Sequence, residues 1–141
     1  MAGDTNLDLD VFVHDRVTGQ TTCISVTSDG STGDGDSMYP SISGDGRYVA
    51  FYSGAWNLVP DDTYGHYDVF VHDRQTGQTS RVSVASGGAQ ANGDSSWDPR
   101  ISADGRFVAR MLEAGASGYL VKDCAFEELV RAVRAVVVGQ S

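Results

Sequence analysis

The sequence predicts a mainly β protein. It carries two groups' worth of four short antiparallel strands, then a C-terminal strand and an amphipathic helix. Three observations lead there. The heptapeptide DVFVHDR occurs twice unchanged, at Asp10–Arg16 and Asp68–Arg74. Around it, GDTNLDLDVFVHDRVTGQTTCISV (Gly3–Val26) matches DDTYGHYDVFVHDRQTGQTSRVSV (Asp61–Val84). YPSISGDGRYVA (Tyr39–Ala50) likewise matches DPRISADGRFVA (Asp98–Ala109), with one residue inserted before the proline in the second copy. A period of about 58 residues points to stacked supersecondary units.

Taken in chain order, each unit reads as two hairpins. In DVFVHD, Val11 and Val13 point one way and Phe12 and His14 the other, the period of a strand. The TG of RVTGQT and RQTGQT supplies the turn, with Gly19 and Gly77 free to take positive φ. TTCISVT and TSRVSVA return as β-branched alternations. SISGDGRYVAFYS forms a second hairpin around the turn dipeptide Asp45-Gly46, and Asp104-Gly105 repeats it. Four short antiparallel strands in about 58 residues are what a propeller blade requires.

These words carry a resemblance. PSISGDGRYVAFYS followed by DVFVHDRQTGQTSRVSV resembles the PD40 type of WD40-like repeat found in TolB-like β-propellers, over residues 2–109. The resemblance implies a binding and scaffolding platform without a single chemistry, in a family often placed in the envelope or outside the cytoplasm. The order is an outer hairpin at Asp10 and Thr21, one complete blade over Ser37–Ser86, and an inner hairpin at Pro99–Ala109. Two blades' worth of strands would leave faces such as Val49/Phe51 and Val69/Val71 partly uncovered. The expectation is a homo-oligomer in which the inner hairpin of one chain completes a blade with the outer hairpin of the next. The alternative is a two-blade sandwich plugged by the tail.

Past Ala109 the pattern changes. RMLEAGASGYLVKDCAFEELVRAVRAVVVGQS predicts a short helix ending at Gly115, a strand over Gly118–Lys122 and a final helix capped by Asp123. Phe126, Leu129, Val130, Val133, Val136 and Val137 fall on one stripe of that helix. LEAGASGYLVKD and FEELVRAVRAV resemble the last third of a response-regulator receiver domain, so residues 110–141 read as a receiver-like β-α tail. The match would set Lys122 at the phosphoryl-contacting lysine. A phospho-acceptor aspartate and an acidic pocket have no counterpart, so Lys122 reads as a strand-end lysine. The junction near Arg110 fits a gene fusion, a recombination product or an assembled chimera.

Composition narrows the function. Lys and Arg number 10 against 19 Asp and Glu, a formal net charge of −9, which repels phosphate backbones and anionic lipid. Neither nucleic acid nor membrane is expected as a partner. The two cysteines, Cys23 and Cys124, form no disulfide framework. MAGDTNLDLD lacks the features of a signal peptide, no apolar run reaches spanning length, and the chain reads as soluble as written, with its localisation unassigned.

Within GDTNLDLD, Asp4, Asn6, Asp8 and Asp10 have the alternating oxygen-donor spacing of a calcium loop, which makes calcium the one candidate cofactor. Turn-forming Asp and Asn are the plainer reading, and the second copy keeps only Asp62 and Asp68. His14, His66 and His72 are divided between copies and do not form a zinc triad. Trp56 and Trp97 are expected to pack between blades rather than against a sugar ring. The reading is therefore non-enzymatic. Its alternatives are a signalling-type fusion with a degenerate receiver segment and a propeller hydrolase acting on glycans.

Overall fold

A computed structural model describes residues 5–62, 66–90 and 98–110. Within them the fold is mainly β and built from antiparallel sheets. The first hairpin pairs β1 (Phe12–His14) with β2 (Thr21–Cys23). A four-stranded sheet follows in the order β3 (Ser37–Ile42), β4 (Tyr48–Ser53), β5 (Asp68–Asp73) and β6 (Thr79–Arg81). A last hairpin pairs β7 (Pro99–Ile101) with β8 (Val108–Arg110). The tail helix and strand expected from Met111 onward lie outside the described residues.

The turns form where the dipeptides place them. Gly19, Gly77, Gly46 and Gly105 take φ of 76°, 79°, 74° and 75°, a region that costs side-chain-bearing residues energy. At Gly105 a second constraint applies, because an added Cβ would lie 2.2 Å from Cδ2 of Tyr48. Gly105→Ala is therefore expected to lower the melting temperature more than Gly77→Ala, whose Cβ would meet nothing within 4 Å. Equal losses in thermal denaturation would show that backbone strain alone acts at both turns.

Strand β3 holds a feature the sequence left unread. Tyr39 has φ of 54° and Asp98, its counterpart before β7, has φ of 68°. Both precede proline, which disfavours the right-handed helical region for the residue before it. The β3–β4 register shifts between Met38 and Ser41, so Tyr39 and Pro40 sit in a bulge. Proline is tolerated there because β3 is an edge strand and its missing N–H interrupts no ladder.

The two hairpins lie on opposite faces of the four-stranded sheet. On one face, Val49, Phe51 and Phe70 pack with Val11 and Ile24 of the first hairpin and with Ala55 and Leu58. Polar ties fix the same layer: Thr79 Oγ1 donates to Val26 O at 2.6 Å, and Ser37 N donates to Leu9 O at 2.6 Å. On the other face, Ile101 N donates to Ser41 Oγ at 3.2 Å and Gly44 N to Ala103 O at 2.9 Å. This corrects the expected exposure: Val49, Phe51 and Val69 are buried, and of the two pairs only Val71 stays half-exposed. The first hairpin covers Val49 and Phe51 within the same chain, through Val11 and Ile24.

Candidate functional site

The acidic segment before β1 and its counterpart before β5 present the same carboxylate in two settings. Asp10 and Asp68 each open the DVFVHD strand, and a serine on the returning segment binds each one. Ser25 Oγ donates to Asp10 Oδ1 at 2.6 Å while accepting Val11 N at 3.1 Å. Ser83 Oγ does the same with Asp68 Oδ1 and Val69 N, again at 2.6 and 3.1 Å. The latch follows from the strand register, which carries the serine just past the paired residues.

The copies diverge at the second carboxylate oxygen. Gln90 Nε2 donates to Asp68 Oδ2 at 2.6 Å and to Asp62 Oδ1 at 3.1 Å, and Arg81 lies 3.6 Å from Asp62. The Arg81 and Asp62 side chains are 8% and 2% exposed, so one guanidinium and two carboxylates share a buried network, in which Arg81 Nε has no hydrogen-bond partner. In the first copy Cys23 stands where Arg81 does and Thr32 where Gln90 does. Asp10 Oδ2 is left buried with no hydrogen-bond partner. An orphaned buried carboxylate oxygen is costly and calls for a donor or a cation.

Of the candidate calcium ligands, Asn6 donates its Nδ2 to Gly33 O at 2.7 Å, which leaves Oδ1 to accept Asp8 N at 3.4 Å. Asp8 is exposed, and Asp4 lies outside the described residues. Among the described residues no group of three or more His, Cys, Asp or Glu gathers in a metal-ligating arrangement. The hard-oxygen donor set suits calcium in kind, and among the described residues Asp10 Oδ2 is its buried unpartnered member. Asp34 and Asp36 serve the loops instead: Asp34 Oδ1 accepts Trp56 N at 2.7 Å, and Asp36 Oδ1 accepts Leu9 N at 2.8 Å.

The histidines divide by layer. His72 Nδ1 lies 2.8 Å from Thr79 Oγ1, whose single hydrogen goes to Val26 O; Nδ1 therefore carries the proton and donates. His14 and Thr21 make the same 2.8 Å contact in the open. Burial pushes His72 below the ordinary histidine range, opposed by Asp73 and reinforced by Arg74. A histidine lowered in the folded state leaves the unfolded chain binding more protons as pH falls below about 6.5. Stability is expected to fall from pH 7 to pH 5, and the His72→Asn variant to give a flatter profile in thermal melts. Parallel profiles would remove His72 as the cause.

Asp73 is the best-placed surface carboxylate. Arg47 grips it in a fork, Nε to Oδ1 at 2.9 Å and Nη2 to Oδ2 at 2.8 Å. That contact, with the amides of Gln75 and Thr76, holds its pKa well below the usual carboxylate range. Trp56 departs from the expected packing. It is 49% exposed, because Ala55 and Leu58 of its loop turn into the core instead. Trp97 and the tail's Lys122 lie outside the described residues, as does Cys124, while Cys23 is half-buried with its Sγ 3.5 Å from Ser25 Oγ. No protein-family model matches the chain, and no curated protein matches it.

Proposed function

We propose that this chain is a non-enzymatic β-propeller-type scaffold or binding module that assembles with copies of itself. Its blades are completed between chains, and the receiver-like tail serves as an accessory packing element. One observation supports the reading above the others. Strands β1 and β8 are the sequence counterparts of β5 and β4, which pair in the four-stranded sheet. The hairpins that contain β1 and β8 pack on opposite faces of that sheet and cannot pair with each other within one chain. Light scattering on the purified chain tests the proposal. A mass that is a multiple of 15.0 kDa is expected, and a strict monomer overturns it.

A second reading is favoured by the orphaned oxygen of Asp10. Calcium held by Asp4, Asn6, Asp8 and Asp10 would satisfy in the first copy the carboxylates that Arg81 and Gln90 contact in the second. Calorimetric titration with calcium should then give heat and a raised melting temperature in the wild type and neither in Asp10→Ala. Identical responses of the two proteins would end it.

A further inference from the structure

The four-stranded sheet shows how two hairpins of this sequence join, and the two outer hairpins present the same joining surfaces unpaired among the described residues. Strand β4 meets β5 antiparallel, with Tyr48 opposite Asp73, Val49 opposite His72 and Ala50 opposite Val71. The turn ahead of β4 locks the pair. Arg47 forks onto Asp73, Arg74 N donates to Arg47 O at 2.8 Å, and Arg74 Nη1 donates to Gly46 O at 2.7 Å. The sequence GRYVA before the joint recurs as GRFVA at Gly105–Ala109, and VHDR after it recurs at Val13–Arg16.

Both halves of that lock are already posed in the outer hairpins. The Arg106 guanidinium lies over the Phe107 ring at 5.4 Å, as Arg47 lies over Tyr48 at 4.7 Å. Asp15 Oδ1 accepts the amides of Val17 and Thr18 at 2.8 and 3.2 Å, as Asp73 Oδ1 accepts those of Gln75 and Thr76 at 2.9 and 3.4 Å. Prolines point the same way: Pro40 and Pro99 lie on β3 and β7, the strands away from the joint, whereas β1 and β8 carry none. An unblocked edge is a template for another strand.

We infer that β8 of one copy pairs antiparallel with β1 of a second copy, Phe107 opposite Asp15, Val108 opposite His14 and Ala109 opposite Val13, with Arg106 forked onto Asp15 of that second copy. This rests on the assembly proposed above and names its interface. Beyond Ala109 the match to β4 ends, since Arg110 stands where Phe51 does, so the register is assigned over those three pairs alone. The packing of layers supplies an independent second contact. In the chain Thr79 binds Val26 O and the Ser28 hydroxyl. The equivalent Thr21 of the second copy would reach Val84 O and Ser86, which are half-buried and exposed in the single chain.

A charge exchange tests the joint. Sedimentation velocity on the full chain should show Arg106→Asp and Asp15→Arg each weakening self-association about tenfold or more. The double variant should restore it, and so should mixing the two single variants, because every joint in an alternating assembly is then complementary. Asp15→Asn, which keeps the oxygen that caps the turn, should weaken association without altering the circular dichroism spectrum, and stands in if Asp15→Arg fails to fold. A wild type that assembles but ignores these substitutions overturns the joint and leaves the assembly standing. A monomeric wild type removes the assembly itself.

Discussion

Phe51→Ala is expected to cost about 3–5 kcal/mol of folding stability, the range for truncating a fully buried phenylalanine. Phe51 has no exposed surface, and its ring stacks on that of Phe70 with centroids 5.9 Å apart and planes at 25°. Val11 and Ile24 close the cavity from the first hairpin, so the void would span two layers. For a domain whose whole stability is of the order of 5–15 kcal/mol, that loss is a large share. Urea denaturation followed by circular dichroism measures it. Phe12→Ala is the control: Phe12 is the counterpart of Phe70 but only half-buried, and its loss should be smaller by at least about twofold. Equal losses would mean that the two faces are covered alike in solution, as they would be in a tight assembly, and dilution would then separate the two cases.

Asp68→Ala is expected to cost about 3 kcal/mol or more, against about 1 kcal/mol for Asp10→Ala. Removing the Asp68 carboxylate strips an acceptor from Gln90 and from Ser83 in a site with no exposed surface at the aspartate. Among the described residues Asp10 gives up only the Ser25 bond, and its removal relieves an oxygen that has no donor. Guanidinium denaturation of both variants in the presence of a chelator decides it. If the two cost the same, the Arg81 and Gln90 additions do nothing for stability.

Much of the architecture was legible because the repeat supplied its own alignment. Two copies of DVFVHDR, each followed by a Thr-Gly turn, and two Asp-Gly turns located the eight strands of the described residues to within a few positions. The left-handed backbone at Tyr39 and Asp98 was not legible, since a positive φ there depends on how a proline is accommodated at a sheet edge. The burial of Val49 and Phe51 was missed for a different reason. Strand periodicity says which residues share a face and is silent about which element covers that face. Trp56 misled in the same way, as its indole stays exposed while its small neighbour Ala55 goes inside.

At the acidic segment the sequence showed the donors and their spacing, and it flagged Asp62 and Asp68 as what survives in the second copy. The pairing of Asp62 with Arg81, and of both carboxylates with Gln90, joins residues far apart along the chain and emerges only when the strands are laid side by side. A comparison of the two copies position by position would have marked Cys23 against Arg81 and Thr32 against Gln90 as the places to look.

The amino-acid order alone determined the strands, their turns and the partner within each hairpin, because these depend on side-chain alternation and on glycine-permitted φ, both local properties. Tertiary structure alone decided which faces meet and which carboxylate goes unpaired. Burial and polar satisfaction belong to surfaces brought together from distant segments, and no local pattern records what a neighbouring layer will supply.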